Sequence, residues 1–304
     1  MRAYFIFLLL LCSRPVFGQS LADLERQLDS LLSKKTKSEL VAGLGYGNNP
    51  AYGSKVPDYT APLVMKTFVA PSLTYYHKSG FYAGFTGYYL FNAFQQPWFE
   101  WDATIGYDYT KNPKLLTGIS YTHYFFADSS DVPLSPIDNE LFTYFYYRGW
   151  WLEPGISLDF GWGRTTAEGM YYKETMRGAD FNVIATLRHP FIFTDIFSSK
   201  DALLLTPSLS LTTGTANYYS NLKSFQYFSR SPKLKRYPPK VPLGEEYSLR
   251  QVTEFQPRAL DLTVSVSYLF GKISLSPSYT VFKTFNMDET GLLSYFTARL
   301  SYIF

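Results

Sequence analysis

The chain of 304 residues carries 28 Lys and Arg against 25 Asp and Glu, a formal net charge of +3. So slight an excess supplies no basic stripe for a nucleic-acid backbone and excludes that class of partner. Aromatic residues make up 19% of the chain, yet mean hydropathy is −0.12. Beyond the first residues no apolar run approaches the roughly 20 that a membrane-spanning helix needs.

Residues 1–18 have the parts of a secretory leader. Arg2 supplies the basic start, Tyr4 to Leu11 the apolar stretch, and Val16-Phe17-Gly18 the residues before a cut ahead of Gln19. Cys12, the only cysteine, follows Leu11 and not the small residue that a lipoprotein site puts there. Cleavage after Gly18 would leave a thiol-free chain, without disulfide, thiolate-metal or cysteine-nucleophile chemistry. Residues 19–37 predict an amphipathic helix. Ser20 with Asp23 makes an N-terminal cap, Leu21, Leu24, Leu28, Leu31 and Leu32 share one face, and Lys34, Lys35 and Lys37 close the last turn.

From residue 38 the apolar period changes to two. Strands are expected at 39–48, 63–77, 80–92, 98–109, 115–127, 139–148, 150–162, 179–192, 202–213, 259–270, 272–285 and 291–304. In 98–109, Phe99, Trp101, Ala103, Ile105 and Tyr107 oppose Glu100, Asp102, Thr104 and Asp108. In 150–162, Trp150, Leu152, Ile156, Leu158, Phe160 and Trp162 oppose Glu153, Ser157 and Asp159. The cleanest pattern, 259–270, sets Leu260, Leu262, Val264, Val266, Tyr268 and Phe270 against Asp261, Thr263, Ser265 and Ser267. Pro71, Pro154, Pro207 and Pro277 fall inside strands on the apolar face. Since proline cannot donate to a ladder, bulges at one common depth are expected there.

The connections sort by parity. About 49–62, 93–97, 128–138, 163–178, 214–257 and 286–290 are mostly longer than the alternate set at 77–80, 111–114, 148–149, 193–201 and 270–272. A soluble sandwich has no reason to sort its loops this way. The longest, 214–257, interleaves Lys223, Arg230, Lys233, Lys235, Arg236 and Lys240 with Tyr218, Tyr219, Phe225, Tyr227, Phe228 and Tyr237. Guanidinium groups in such a loop suit phosphates, those of lipopolysaccharide included. His77, His123 and His189 lie on separate strands, so no metal site is expected from them, and no cofactor is expected.

The closing strand carries the most specific signal. Phe296, Ala298, Leu300, Tyr302 and Phe304 form one face, and Tyr295, Thr297, Arg299, Ser301 and Ile303 the other. A strand with one lipid-like face that ends the chain in phenylalanine resembles the closing strand of bacterial outer-membrane β-barrels, and the resemblance covers 38–304 at the level of pattern. It implies an all-β, antiparallel transmembrane barrel of about 12 strands with a short periplasmic helix before it, reached through the cleaved leader. It also implies short periplasmic turns, long outer loops, outer-membrane lipid and lipopolysaccharide as surroundings, and Phe304 with Tyr302 as the signal read by the barrel assembly machinery.

Parity then directs Glu100, Asp102, Asp108, Glu153, Asp159, Arg188, Asp261 and Arg299 into the lumen, with Asp180 and Lys66. The expected function is a passive or weakly selective channel for small solutes, with these charges setting its field. The alternative is a closed barrel, crossed by salt bridges, that binds or anchors through the 214–257 loop. A third is an enzyme acting on lipid or peptide. His123, on the strand next to Glu100 and Asp102, resembles the histidine–carboxylate arrangement of outer-membrane proteases, but no serine or asparagine pattern accompanies it and no catalytic residue is assigned. Replacing Phe304 with Asp is expected to lower the amount of heat-modifiable barrel in the outer membrane, measured by the gel shift of unheated samples; wild-type abundance would disprove the signal.

Overall fold

In a bilayer every backbone N–H and C=O must find a partner within the protein, and a sheet achieves this only by closing on itself. The computed structural model describes residues 38–52, 63–93, 96–109, 111–127, 137–169, 172–198, 201–215, 255–285 and 292–304. They form such a closed sheet. Its strands are β1 (Glu39–Tyr52), β2 (Leu63–Tyr76), β3 (Phe81–Leu90), β4 (Trp98–Tyr109), β5 (Leu115–Phe126), β6 (Asn139–Tyr147), β7 (Glu153–Gly169), β8 (Tyr172–Arg188), β9 (Phe191–Thr194), β10 (Asp201–Gly214), β11 (Gln256–Phe270), β12 (Ile273–Thr284) and β13 (Leu293–Ile303). Pairing is antiparallel throughout, and β13 returns to β1, with Val41 opposite Ile303 and Gly47 opposite Thr297.

β8 and β9 are two parts of one wall strand. Both pair with β10 in a single register, Ser208 with Arg188 and Leu205 with Phe191, and only His189-Pro190 interrupts them. The fold is therefore a closed antiparallel barrel of 12 strands. The leader, the helix expected at 19–37 and residues 216–254 of the long loop lie outside the described residues.

Alternation decides which face each residue takes. Outward, Leu44, Leu73, Phe85, Ile105, Leu262 and Leu300 remain between 47% and 60% exposed. A continuous apolar band on this scale is stable against acyl chains and not against water. At the short-turn end the band finishes in Trp150, Trp151, Phe197, Tyr302 and Phe304, aromatics suited to the headgroup zone. There Phe304 N–H donates to the Leu40 carbonyl at 2.9 Å and packs edge-on against Tyr302. Asp201 organises the turn after β9: its carboxylate accepts from the N–H groups of Ile196, Phe197 and Ser198 at 2.8, 2.9 and 3.1 Å and from the Tyr268 hydroxyl at 2.8 Å.

Five expectations are corrected. Most of the outer connection placed at 163–178 is instead strand: β7 runs 17 residues to Gly169 and β8 runs 17 residues from Tyr172. Their register sets Thr166 opposite Thr175 and Glu168 opposite Lys173. β1 and β2 likewise extend to Tyr52 opposite Leu63, past the end of β13 and β3. At the other end β7 begins at Glu153, so Trp150 and Leu152 stand in an exposed bend before it.

The prolines do not bulge the wall. Pro71, Pro154, Pro207 and Pro277 keep register with Leu44, Leu187, Val264 and Ala298. What the missing N–H produces is a gap in the ladder on one side. β2 and β3 pair at Val69–Tyr89 and again at Ser72–Thr86, and β11 and β12 pair at Ser265–Ser278 and again at Tyr268–Leu275. The gap between β8 and β9 faces Pro207. All four lie in the short-turn half, as their sequence spacing implies.

Register shifts occur elsewhere, at Tyr88/Tyr89 against β4 and at Thr212/Thr213 against β11. The first changes the facing of Phe99. Tyr88 pairs with Glu100 and Tyr89 with Trp98, so Phe99 is the extra residue. It turns inward beside Glu100, 1% exposed and in ring contact with Tyr88, while Trp98 stacks on Trp101 outside at 4.9 Å.

The turn between β2 and β3 depends on Gly80, which has φ of +100° and donates its N–H to the His77 carbonyl at 2.9 Å. A Cβ there would land on the Asp108 carbonyl oxygen. Gly80→Ala is expected to lower unfolding stability by more than about 1 kcal/mol, read as a lower urea midpoint for the barrel refolded in lipid vesicles.

Candidate functional site

The inward side chains make the candidate site, and they divide along the barrel axis. In the short-turn half they are small or aromatic and only partly covered. β10 to β13 present Thr206, Ser208, Ser265, Ser267, Ser274, Ser276 and Ser278, and β2 presents Ser72 and Thr74. Their hydroxyls bond across the strands, Ser276 to Ser267 at 3.0 Å and Ser278 with Thr297 at 2.7 Å. β1 contributes Gly43, Gly45 and Gly47, and Arg299 lies across this bare track, with Nη2 3.3 Å from Ser72 Oγ. Opposite stand Tyr76 against Tyr82 and Tyr144 against Tyr146.

The charges of this half are matched. Arg188 Nε donates to Glu153 Oε2 at 2.9 Å, Arg148 Nε lies 3.5 Å from Glu153 Oε1, and the Arg188 guanidinium caps the Tyr146 ring at 4.1 Å. Register makes the first pair, since Glu153 opens β7 directly opposite Arg188. The Tyr144 hydroxyl donates to Asp108 Oδ1 at 2.7 Å. The lining here is polar and mostly only half-buried, the half of the lumen that would be wet.

In the long-loop half the inward side chains are packed. Glu100, Asp102, Glu140, Asp159, Asp180 and Asp261 form an acidic arc from β4 round to β11, none more than 6% exposed. The Tyr124 hydroxyl donates to Glu140 Oε2 at 2.9 Å. Asp180 accepts from Asn182 Nδ2 at 2.8 Å and from Thr215 Oγ1 at 3.0 Å. Arg258, whose Nε donates to the Gly214 carbonyl at 2.9 Å, is a cation near Asp180 at the rim. The rest of the circumference is apolar: Phe68, Tyr88, Leu90, Phe99, Phe282 and Tyr295 pack together inside the barrel with Leu293 and Ala93. The two arcs meet at Phe99–Glu100, where the bulge sends both residues inward, and at Asp261, which pairs with Phe282 across β11 and β12.

Glu100, Asp102, Asp108, Glu153, Asp159, Arg188, Asp261 and Arg299 all stand on the inward face expected for them, but not as one ring. Asp108, Glu153, Arg188 and Arg299 belong to the wet half and the other four to the packed half. Glu140, Tyr88 and Tyr124 were not legible as lumen residues, whereas Tyr295 stands on the inner face that alternation gives it in the closing strand. Alternation along Glu140, Phe142, Tyr144 and Tyr146 carried the signal, masked by aromatic rings on the inner face. His123 pairs with Ala103 on the outer face, its Nδ1 2.9 Å from Asn139 Oδ1, and does not meet Glu100 or Asp102. Among the described residues no three His, Cys, Asp or Glu converge as metal ligands. Lys223, Arg230, Lys233, Lys235, Arg236 and Lys240 lie outside the described residues.

No family model and no curated protein matches the chain. Solved structures do, and those it resembles are bacterial outer-membrane barrels. The NanC porin is 11% identical with a TM-score of 0.41, over 86% of this chain and 97% of the other. An outer-membrane channel from Pseudomonas putida F1 is 8% identical with a TM-score of 0.49, over 88% and 96%. The translocator domain of the autotransporter NalP from Neisseria meningitidis is 11% identical with a TM-score of 0.44, over 93% and 95%.

Because Glu153 holds two arginines at a nearly buried position, Glu153→Gln is expected to cost about 3 kcal/mol by leaving their charge uncompensated. The check is the urea midpoint of the vesicle-refolded barrel, with Arg148→Gln, which leaves the tighter Arg188 pair intact, losing less.

Proposed function

We propose that this barrel is an outer-membrane channel for small polar solutes, wide on the periplasmic side and narrowed in its outer half. The chain would enter the periplasm through its leader and be folded by assembly machinery that reads Phe304. The short-turn end, where the paired β1 and β13 bring residues 39 and 303 to the rim, would then be periplasmic.

The observation that carries the proposal is the wet, hydroxyl-lined half of the lumen. A barrel that serves only as an anchor gains by filling its interior, as the smallest barrels do. Here β10 to β13 and β1 line half the depth with serine, threonine and glycine that stay partly accessible from within. Such a wall offers hydrogen bonds to a passing solute without holding it through any single strong contact, which is what conduction requires.

The packed outer half favours the second reading, a closed barrel that acts through its surface. The apolar arc is where a test separates them, since Tyr88 and Tyr295 are large side chains buried within it, at 0% and 2% exposure. In a channel they set the bore. Refolded protein in a planar bilayer is expected to give discrete conductance steps, and Tyr295→Ala is expected to enlarge them by roughly twofold or more while the heat-modifiable band stays intact, since side chains rather than the wall limit a barrel of this size. Absence of steps in both proteins would reject the channel and leave the closed barrel.

A further inference from the structure

Most polar side chains of the wall face the lumen, but one hydrogen-bonded group of them stands on the lipid side. We propose that this outward cluster, around His123 and Asn139, is a headgroup site for a phosphorylated glycolipid of the outer leaflet. From the preceding reading it takes only the orientation, with the long-loop end outermost.

Register builds the cluster. His123 lies opposite Asn139, and Asn139 opposite Trp162, each at the last rung of its ladder toward the long-loop end. Two strand spacings set His123 and Trp162 about 10 Å apart along the rim. Alternation puts Tyr121, His123, Asn139 and Trp162 on the face of Phe125, Leu141 and Phe160, which are exposed to lipid. Past this step β6 has ended while β7 runs on to Gly169. Arg164, two residues beyond Trp162, is exposed there, with Arg177 opposite it in register.

Hydrogen bonds fix the polarity of the group. Asn139 Nδ2 donates to the Asp138 carboxylate and lies 3.5 Å from the Trp162 carbonyl oxygen, so its Oδ1 points toward β5. That oxygen accepts from the Tyr121 hydroxyl at 2.6 Å and from His123 Nδ1 at 2.9 Å. Nδ1 of His123 therefore carries a hydrogen, and Nε2 is the nitrogen that can meet a ligand, as a donor when the ring is protonated. Tyr121, His123, Asp138, Asn139 and Trp162 are only half-buried.

Acyl chains offer these groups no hydrogen bond, so a hydrocarbon neighbour would leave their outer atoms at a cost. At the edge of the apolar band the neighbours are headgroups. Phosphate suits Arg164, whose guanidinium binds it with two parallel bonds, and His123 supplies a further donor lower on the wall. The Trp162 ring, stacked on Phe160 at 5.3 Å, offers a flat amphipathic flank for a sugar. Asp138 would repel a bare phosphate but accepts from a sugar hydroxyl. A phosphorylated sugar satisfies all four groups together.

The test uses the full-length barrel refolded in detergent micelles and offered lipid A, dephosphorylated lipid A or phosphatidylglycerol, with the retained lipid counted by native mass spectrometry. The wild type is expected to retain lipid A over the other two by roughly tenfold, the scale of one hydrogen bond to a charged group. His123→Phe and Arg164→Gln are each expected to lower that retention by roughly fivefold or more while the heat-modifiable band stays intact. Phosphatidylglycerol retained as well as lipid A would overturn recognition of a glycolipid, and dephosphorylated lipid A retained equally would overturn the part given to phosphate. Retention of lipid A unchanged in both folded variants would place the lipid elsewhere on the wall and sink the site. Should His123→Phe not refold, Arg164→Gln decides alone, since it changes a residue past the last β6 rung. Neither residue faces the bore, so conductance steps bear on the channel reading alone.

Discussion

The seam between β1 and β13 is the interaction on which the other features depend. Seven rungs, from Val41–Ile303 to Gly47–Thr297, join the two ends of the sheet. Without them both strands would present unpaired amides and carbonyls to hydrocarbon, at several kcal/mol for each group. Once the seam is closed, alternation becomes a division between lipid and lumen. The same arithmetic that puts Leu300 and Tyr302 outside puts Arg299 and Ser301 inside. A polar interior is thus a consequence of closure, and the sequence is free only in how it distributes that polarity.

This chain distributes it unevenly. The short-turn half has small hydroxyl side chains and the Glu153–Arg188 ion pair, whereas the long-loop half concentrates carboxylates on one arc and rings on the other. Neither arrangement is required to keep the wall intact, because wall stability comes from the ladder and the outer apolar band. The interior is therefore where function is to be sought, and its contrast in packing along the axis is what supports a conduit with one constriction.

Much of this was legible in sequence because a period of two is a stiff constraint. Wherever strict alternation held, as in 100–109 and 259–270, the facing of Asp102 and Asp261 followed directly. Legibility failed where a residue broke the rule for a local reason. Phe99 looks lipid-facing by parity, but the extra residue of a bulge resets the count. Glu140 was hidden because Phe142, Tyr144 and Tyr146 put rings on the inner face, and a ring alone does not say which side it favours. The β7–β8 ribbon was read as loop because loops were inferred from a loss of apolar alternation, and a ribbon beyond the bilayer has no lipid side to impose it. The prolines were taken for bulges because a missing donor was equated with an inserted residue; the wall tolerates the missing donor by leaving a rung open.

The bulge at Phe99 and Glu100 has a further consequence for anything inside the barrel. It places the last ring of the apolar arc next to the first carboxylate of the acidic one, so the cross-section of the outer half is two-sided rather than uniform. An amphipathic molecule admitted to that section would meet polar groups on the arc from β4 to β11 and apolar ones at Phe68 and Tyr295. Orientation is thereby imposed by the cross-section, before any contact specific to the solute is made.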